Sequence, residues 1–121
     1  MISIRREGGH FSQEWTFDGW FLLPARTVRP PLIFEGGDLA DFAPDSLRRW
    51  HFDGRDITLS PEQAALWRLH NGLVYNPAEP SAPRWQFDGS TLEQDTEIWP
   101  DRWLSTSEVP LLVIAFVAGL L

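Results

Sequence analysis

Three features of this sequence carry residue types capable of chemistry: an aromatic–acid group that occurs three times, one acidic run, and the histidines. Trp15-Thr16-Phe17-Asp18-Gly19 recurs as Trp50-His51-Phe52-Asp53-Gly54 and again as Trp85-Gln86-Phe87-Asp88-Gly89. Clustered, exposed aromatic rings mark binding surfaces. Trp15, Trp50 and Trp85 are therefore candidate stacking platforms for sugar rings, with Asp18, Asp53 and Asp88 as polar partners. The same acids make a poor calcium site, because that ion takes roughly six or more oxygens and each unit supplies one carboxylate. Glu93, Asp95 and Glu97 stand at alternate positions, as on one face of a strand. Acid–base catalysis by a carboxylate pair needs two unlike environments, which this uniform run does not suggest. It reads instead as a solvated edge whose charges guard against strand pairing.

The remaining chemistry is excluded piece by piece. His10, His51 and His70 have no metal-ligand spacing. His51 alternates with Trp50 and Phe52, so it faces the other side of that strand. There is no Cys, hence no disulfide, thiolate metal site or thiol nucleophile. The chain has neither a Gly-x-Ser-x-Gly elbow nor a phosphate-cradling glycine loop. The expectation is a protein without catalytic residues, cofactor or metal.

The elements that must position these residues follow from the repeat. Each step between units is 35 residues. Trp and Phe at i and i+2 share one face of a strand. Asp-Gly supplies the positive φ of a tight hairpin turn, and Leu22, Ile57 and Leu92 begin the return strands. The plainer assignment makes the Trp and Phe core residues and the Asp a turn residue. In count and period the units are similar to the β-trefoil plan, but Gln86 follows Trp85, the reverse of the Gln-x-Trp order of trefoil lectins.

Between the hairpins, Pro30-Pro31 precedes a short strand expected at Leu32-Ile33-Phe34, and Pro44 opens a short helix through Arg49. A helix is expected at 61–71. Ser60 is its N-cap, Pro61 its first residue, and Gln63 completes a capping box. Ala65, Leu66 and Leu69 form its apolar stripe, His70 sits in its last turn, and Asn71-Gly72 closes it. Residues 76–84, with three prolines, form an extended loop.

The chain has 121 residues and a net charge of −7, with ten Arg and no Lys. That balance lacks the basic footprint of nucleic-acid binding. The N-terminal ten residues have no apolar region resembling a secretory signal, and no apolar run is long enough to span a membrane. Localisation is left between a virion and the cytoplasm. Leu111 to Leu121 holds no polar side chain. Such a segment must be covered: as a core strand or helix of the same domain, or as an arm docking into a partner through Leu111, Leu112, Val113, Ile114, Phe116, Val117, Leu120 and Leu121.

The expected fold is mainly β (small α+β). It has three hairpins on the Trp-x-Phe-Asp-Gly repeat, one helix near 61–71, and an apolar C-terminal strand or arm. Residues 1–108 form one hairpin-repeat domain and 109–121 the apolar segment. Three function classes follow. The first is a non-catalytic structural or assembly subunit bound to other protein subunits, such as a phage tail or capsid accessory component. The second is a carbohydrate-binding module using the repeat Trp residues. The third is a small acidic inhibitor or immunity-type protein that covers a basic partner.

Overall fold

The computed structural model describes residues 1–8, 13–43, 47–60, 64–96 and 98–121. Twelve short strands follow one another: β1 (Ile2–Arg6), β2 (Trp15–Phe17), β3 (Phe21–Pro24), β4 (Leu32–Glu35), β5 (Asp38–Asp41), β6 (Arg48–Phe52), β7 (Asp56–Leu59), β8 (Ala65–His70), β9 (Leu73–Tyr75), β10 (Trp85–Phe87), β11 (Thr91–Gln94) and β12 (Arg102–Ser105). One helix, α1 (Leu111–Val117), ends the chain. Every strand is antiparallel to its chain neighbours, and β1 pairs with β12 to close a barrel. Mainly β architecture with hairpins at the repeats is thus the observed fold.

The 35-residue period governs the whole ring. Phe17, Phe52 and Phe87 pair with Leu22, Ile57 and Leu92 at equivalent registers. Leu39 and Val74 are one period apart, and Ile4 is one period earlier still; all three are fully buried. Each unit therefore has four strands: β2–β5, β6–β9, and β10–β12 completed by β1. In the first two units a two-residue turn joins the last pair of strands. Its residues are Gly36-Gly37, with φ 61° and 82°, and Asn71-Gly72, with φ 50° and 79°. Two consecutive positive φ values are those of a type I′ turn. In the third unit no turn joins them: β1 supplies the fourth strand from the other end of the chain.

The repeated Asp-Gly also has a defined role. Gly19, Gly54 and Gly89 take φ of 98°, 96° and 105° at the first central position of their turns, as in a type II′ hairpin. The Asp sits one place earlier. Asp18 Oδ1 accepts from the backbone N–H groups of Trp20 and Phe21 at 2.9 and 2.7 Å. Asp53 and Asp88 do the same one and two periods on.

A twelve-stranded ring is too wide to be filled by side chains from its own wall, since diameter grows with strand number. Helix α1 fills it. Its seven residues span about 10 Å and are apolar on every face, which suits a helix surrounded by protein. Leu111, Leu112, Val113, Ile114, Ala115 and Val117 are buried in the common core. The helix closes in a Schellman motif: Gly119 N–H donates to Phe116 O and Leu120 N–H to Ala115 O. Leu120 O then accepts from Trp67 Nε1 at 3.0 Å.

Three expectations are corrected. Residues 65–70 form strand β8, not a helix; Pro61 to Gln63 lie outside the described residues. Trp67 and Leu69 face the core, paired with Ile57 and Val74, while Arg68 points out to Asp56. Asn71-Gly72 is accordingly a hairpin turn and not a helix cap. Arg48 and Arg49 belong to strand β6 instead of a helix; Pro44 lies outside the described residues. Strand β11, which carries Glu93, is paired on both sides and is no edge. Of the alternatives open for the apolar C-terminal segment, residues 111–117 form the core helix.

Candidate functional site

The repeat aromatics line the inside of the barrel. Trp50 is 1% and Trp85 7% exposed, so neither offers a ring face to a sugar. Trp15 is half-buried and meets Phe116 edge-on at 5.6 Å, and Trp50 meets the same ring at 5.5 Å. The Arg29 guanidinium lies 5.9 Å from both the Trp15 and Phe116 rings, and Arg48 lies 5.1 Å from the Trp50 ring. These contacts cap the aromatic layer with cation–π pairs. Arg29 is held by Asp41, whose carboxylate is buried and also accepts from Ala43 N–H. Nothing in the sequence spacing marks this pair.

The polar candidates are distributed rather than gathered. Asp18, Asp53 and Asp88 sit in separate turns, and each carboxyl is held below its ordinary value by the backbone N–H groups it accepts from. His51 Nδ1 meets Asp38 Oδ1 at 2.5 Å, and Arg49 Nε meets the other oxygen of Asp38 at 2.8 Å. His51 faces outward, as its alternation with Trp50 and Phe52 predicts. His70 ends β8 and has Asn71 Nδ2 3.3 Å from its Nε2. His10 and Glu97 lie outside the described residues. Asp95 follows β11 and accepts from Gln86 Nε2 at 3.4 Å. Among the described residues no group of three His, Asp or Glu side chains could hold a metal ion.

A polar groove of about 430 Å³ crosses the outer wall of the third unit. Gln86, Glu93 and Arg102 lie side by side across β10, β11 and β12. Arg102 Nη1 donates to Glu7 at 3.4 Å, while its buried Nε lies 3.9 Å from Glu93 and makes no hydrogen bond.

The other surface feature follows from topology. In a sequential ring, alternate connections fall at opposite ends. Short turns occupy one end: 18–20, 36–37, 53–55, 71–72 and 88–90. The longer connections begin and end at the other, where their described residues include 7–8, 13–14, 25–31, 42–43, 47, 76–84, 95–96 and 98–101. Val28, Phe42, Leu47, Ile98 and Trp99 are large apolar side chains exposed on this loop rim. Trp99 is 92% exposed and takes φ 52°, a left-handed conformation that is costly for a bulky residue. The rim also carries Arg26, Arg29 and Arg84. Sequence reasoning passed over Trp99. Its position in the sequence does not single it out: Trp20, Trp67 and Trp103 also stand outside the 35-residue register of Trp15, Trp50 and Trp85, and Trp103 is buried.

Comparison with protein-family models, with curated proteins and with solved structures finds no match to this chain. No helix among the described residues is long and apolar enough to cross a membrane.

Proposed function

We propose that the protein is a non-catalytic assembly subunit, and that its loop rim is the face it presents to another protein subunit. A phage tail or capsid accessory role is one setting that suits such a module. The observation that carries the reading is the exposed, strained Ile98-Trp99 tip among the other apolar side chains of the rim. Trp and Arg dominate the energetics of protein interfaces, and apolar side chains grouped on one face mark such interfaces. Loops on a rigid scaffold are the usual place for recognition. The apolar tail does not serve this purpose in the reading, because Leu111, Leu112, Val113, Ile114 and Val117 are buried within their own barrel.

The test is photo-crosslinking from position 99 in the cells that make the protein, with position 70 at the opposite end as control. The expected result is a discrete adduct with another protein chain from position 99 alone. Equal labelling from both positions, or none from either, overturns the reading.

A further inference from the structure

The threefold repeat provides an internal control for the outer wall. At equivalent registers, Phe21 pairs with Ile33 in the first unit, Asp56 with Arg68 in the second, and Thr91 with Leu104 in the third. Trp20 corresponds by period to Arg55 and Ser90, and Leu23 to Thr58 and Glu93. The second unit thus carries an ion-paired wall, with Arg68 Nε 2.7 Å and Arg55 Nε 3.5 Å from Asp56. The first unit carries apolar side chains at the same positions. Trp20, Phe21 and Leu23 are exposed, and the Trp20 and Phe21 rings meet edge-on at 6.5 Å. The fold does not require these residues, because the other two units build the same strands without them.

Charge and topology narrow what covers this wall. Asp18 and Glu35 flank it at the turn end. Glu35 shares the outward face of β4 with Ile33. The whole chain is at −7, which disfavours an anionic lipid surface. Every strand is paired on both sides, so a partner cannot add a strand and must dock through side chains. An amphipathic helix does this, with apolar anchors on one stripe. Complementarity to the flanking carboxylates calls for Lys or Arg beside that stripe.

We infer that the outer wall of the first unit, Trp20, Phe21, Leu23 and Ile33, is a docking surface for a basic amphipathic helix of a partner protein. It is separate from the loop rim and does not rest on the rim's role. The test grafts the second unit's residues onto the first: Trp20→Arg, Phe21→Asp, Leu23→Thr and Ile33→Arg in one chain. The probe is a synthetic helix with a Leu stripe flanked by Lys, titrated against both proteins by calorimetry. A matched helix with Glu flanks and vesicles rich in phosphatidylglycerol serve as comparisons, and sedimentation reads self-association. Expected is binding of the Lys-flanked helix at least tenfold tighter to the native chain than to the graft, with the circular dichroism of the two proteins alike. A second variant, Phe21→Thr alone, weakens binding in the same direction if the full graft unfolds. No binding of the Lys-flanked helix, equal binding of the Glu-flanked one, or vesicle binding or dimerisation lost in the graft overturns the inference.

Discussion

At the scale of single residues, the three turn carboxylates act as fixed local braces. Asp18, Asp53 and Asp88 each accept from two backbone N–H groups across the hairpin, and those hydrogen bonds hold their carboxyls below the ordinary value of 3.8. A group whose pKa is lowered by folding contributes stability above its unfolded value, and that contribution is lost as pH falls through the folded value. The native chain should therefore lose thermal stability as pH drops below about 4. Asn keeps the accepting oxygen but cannot ionise. The triple variant Asp18→Asn, Asp53→Asn, Asp88→Asn should show a flatter fall of melting temperature over that range, read by circular dichroism from neutral pH downward. An unchanged slope would assign the acid sensitivity elsewhere, with Asp56 next in line because Arg68 lowers it in the same direction.

At the scale of elements, the clearest contrast is between β8 and α1. The segment 60–71 carries every local sign of a helix: a capping box, an initial proline and a terminal Asn-Gly. Residues 65–70 are nonetheless strand, paired on both sides within the ring. Asn71-Gly72 stands one period after Gly36-Gly37, and both pairs take positive φ values. Reading the period through the whole unit, beyond the Trp-x-Phe-Asp-Gly group, would have placed a hairpin there. The inner and outer sides of β8 were also legible: Trp67 and Leu69 alternate with Arg68 and His70. The repeat hairpins and the burial of their aromatics could be read directly, because strand alternation and turn chemistry are local. The interior helix could not, since its stability comes from the wall around it rather than from caps or propensity. The rim tip and the Arg29–Asp41 pair were hidden for a similar reason: exposure and ion pairing depend on how loops meet in space. Because α1 is enclosed, deleting methyl groups from it leaves a void. Ile114→Ala should cost about 2–5 kcal/mol, measured by urea unfolding, whereas a cost under about 1 kcal/mol would mean that the helix is not the packed centre.

At the scale of the whole molecule, the barrel and its plug form one cooperative body. The core is continuous from wall to helix, and Val109 through Val117 contribute a third or more of its fully covered apolar members. A chain ending at Glu108 should lose its sharp thermal transition and bind a hydrophobic dye, the behaviour of a collapsed state without fixed packing. A truncated chain that melts as sharply as the full one would return the tail to the status of an accessory arm.

The seam between β1 and β12 has one more consequence, and it concerns synthesis. Ser3 N–H donates to Thr106 Oγ1 across 103 residues, and Thr106 N–H to Ser3 O. All other neighbouring strands meet across short connections and can pair as they leave the ribosome. Strand β1 emerges first and pairs on one side only with β2. Its second partner comes almost last, immediately before the helix that fills the ring. Until then the ring cannot close, and any sheet formed from the earlier strands has two bare edges open to pairing with other chains. Early residues thus wait for late ones, and the barrel becomes a single unit in one closing event after most of it has been made.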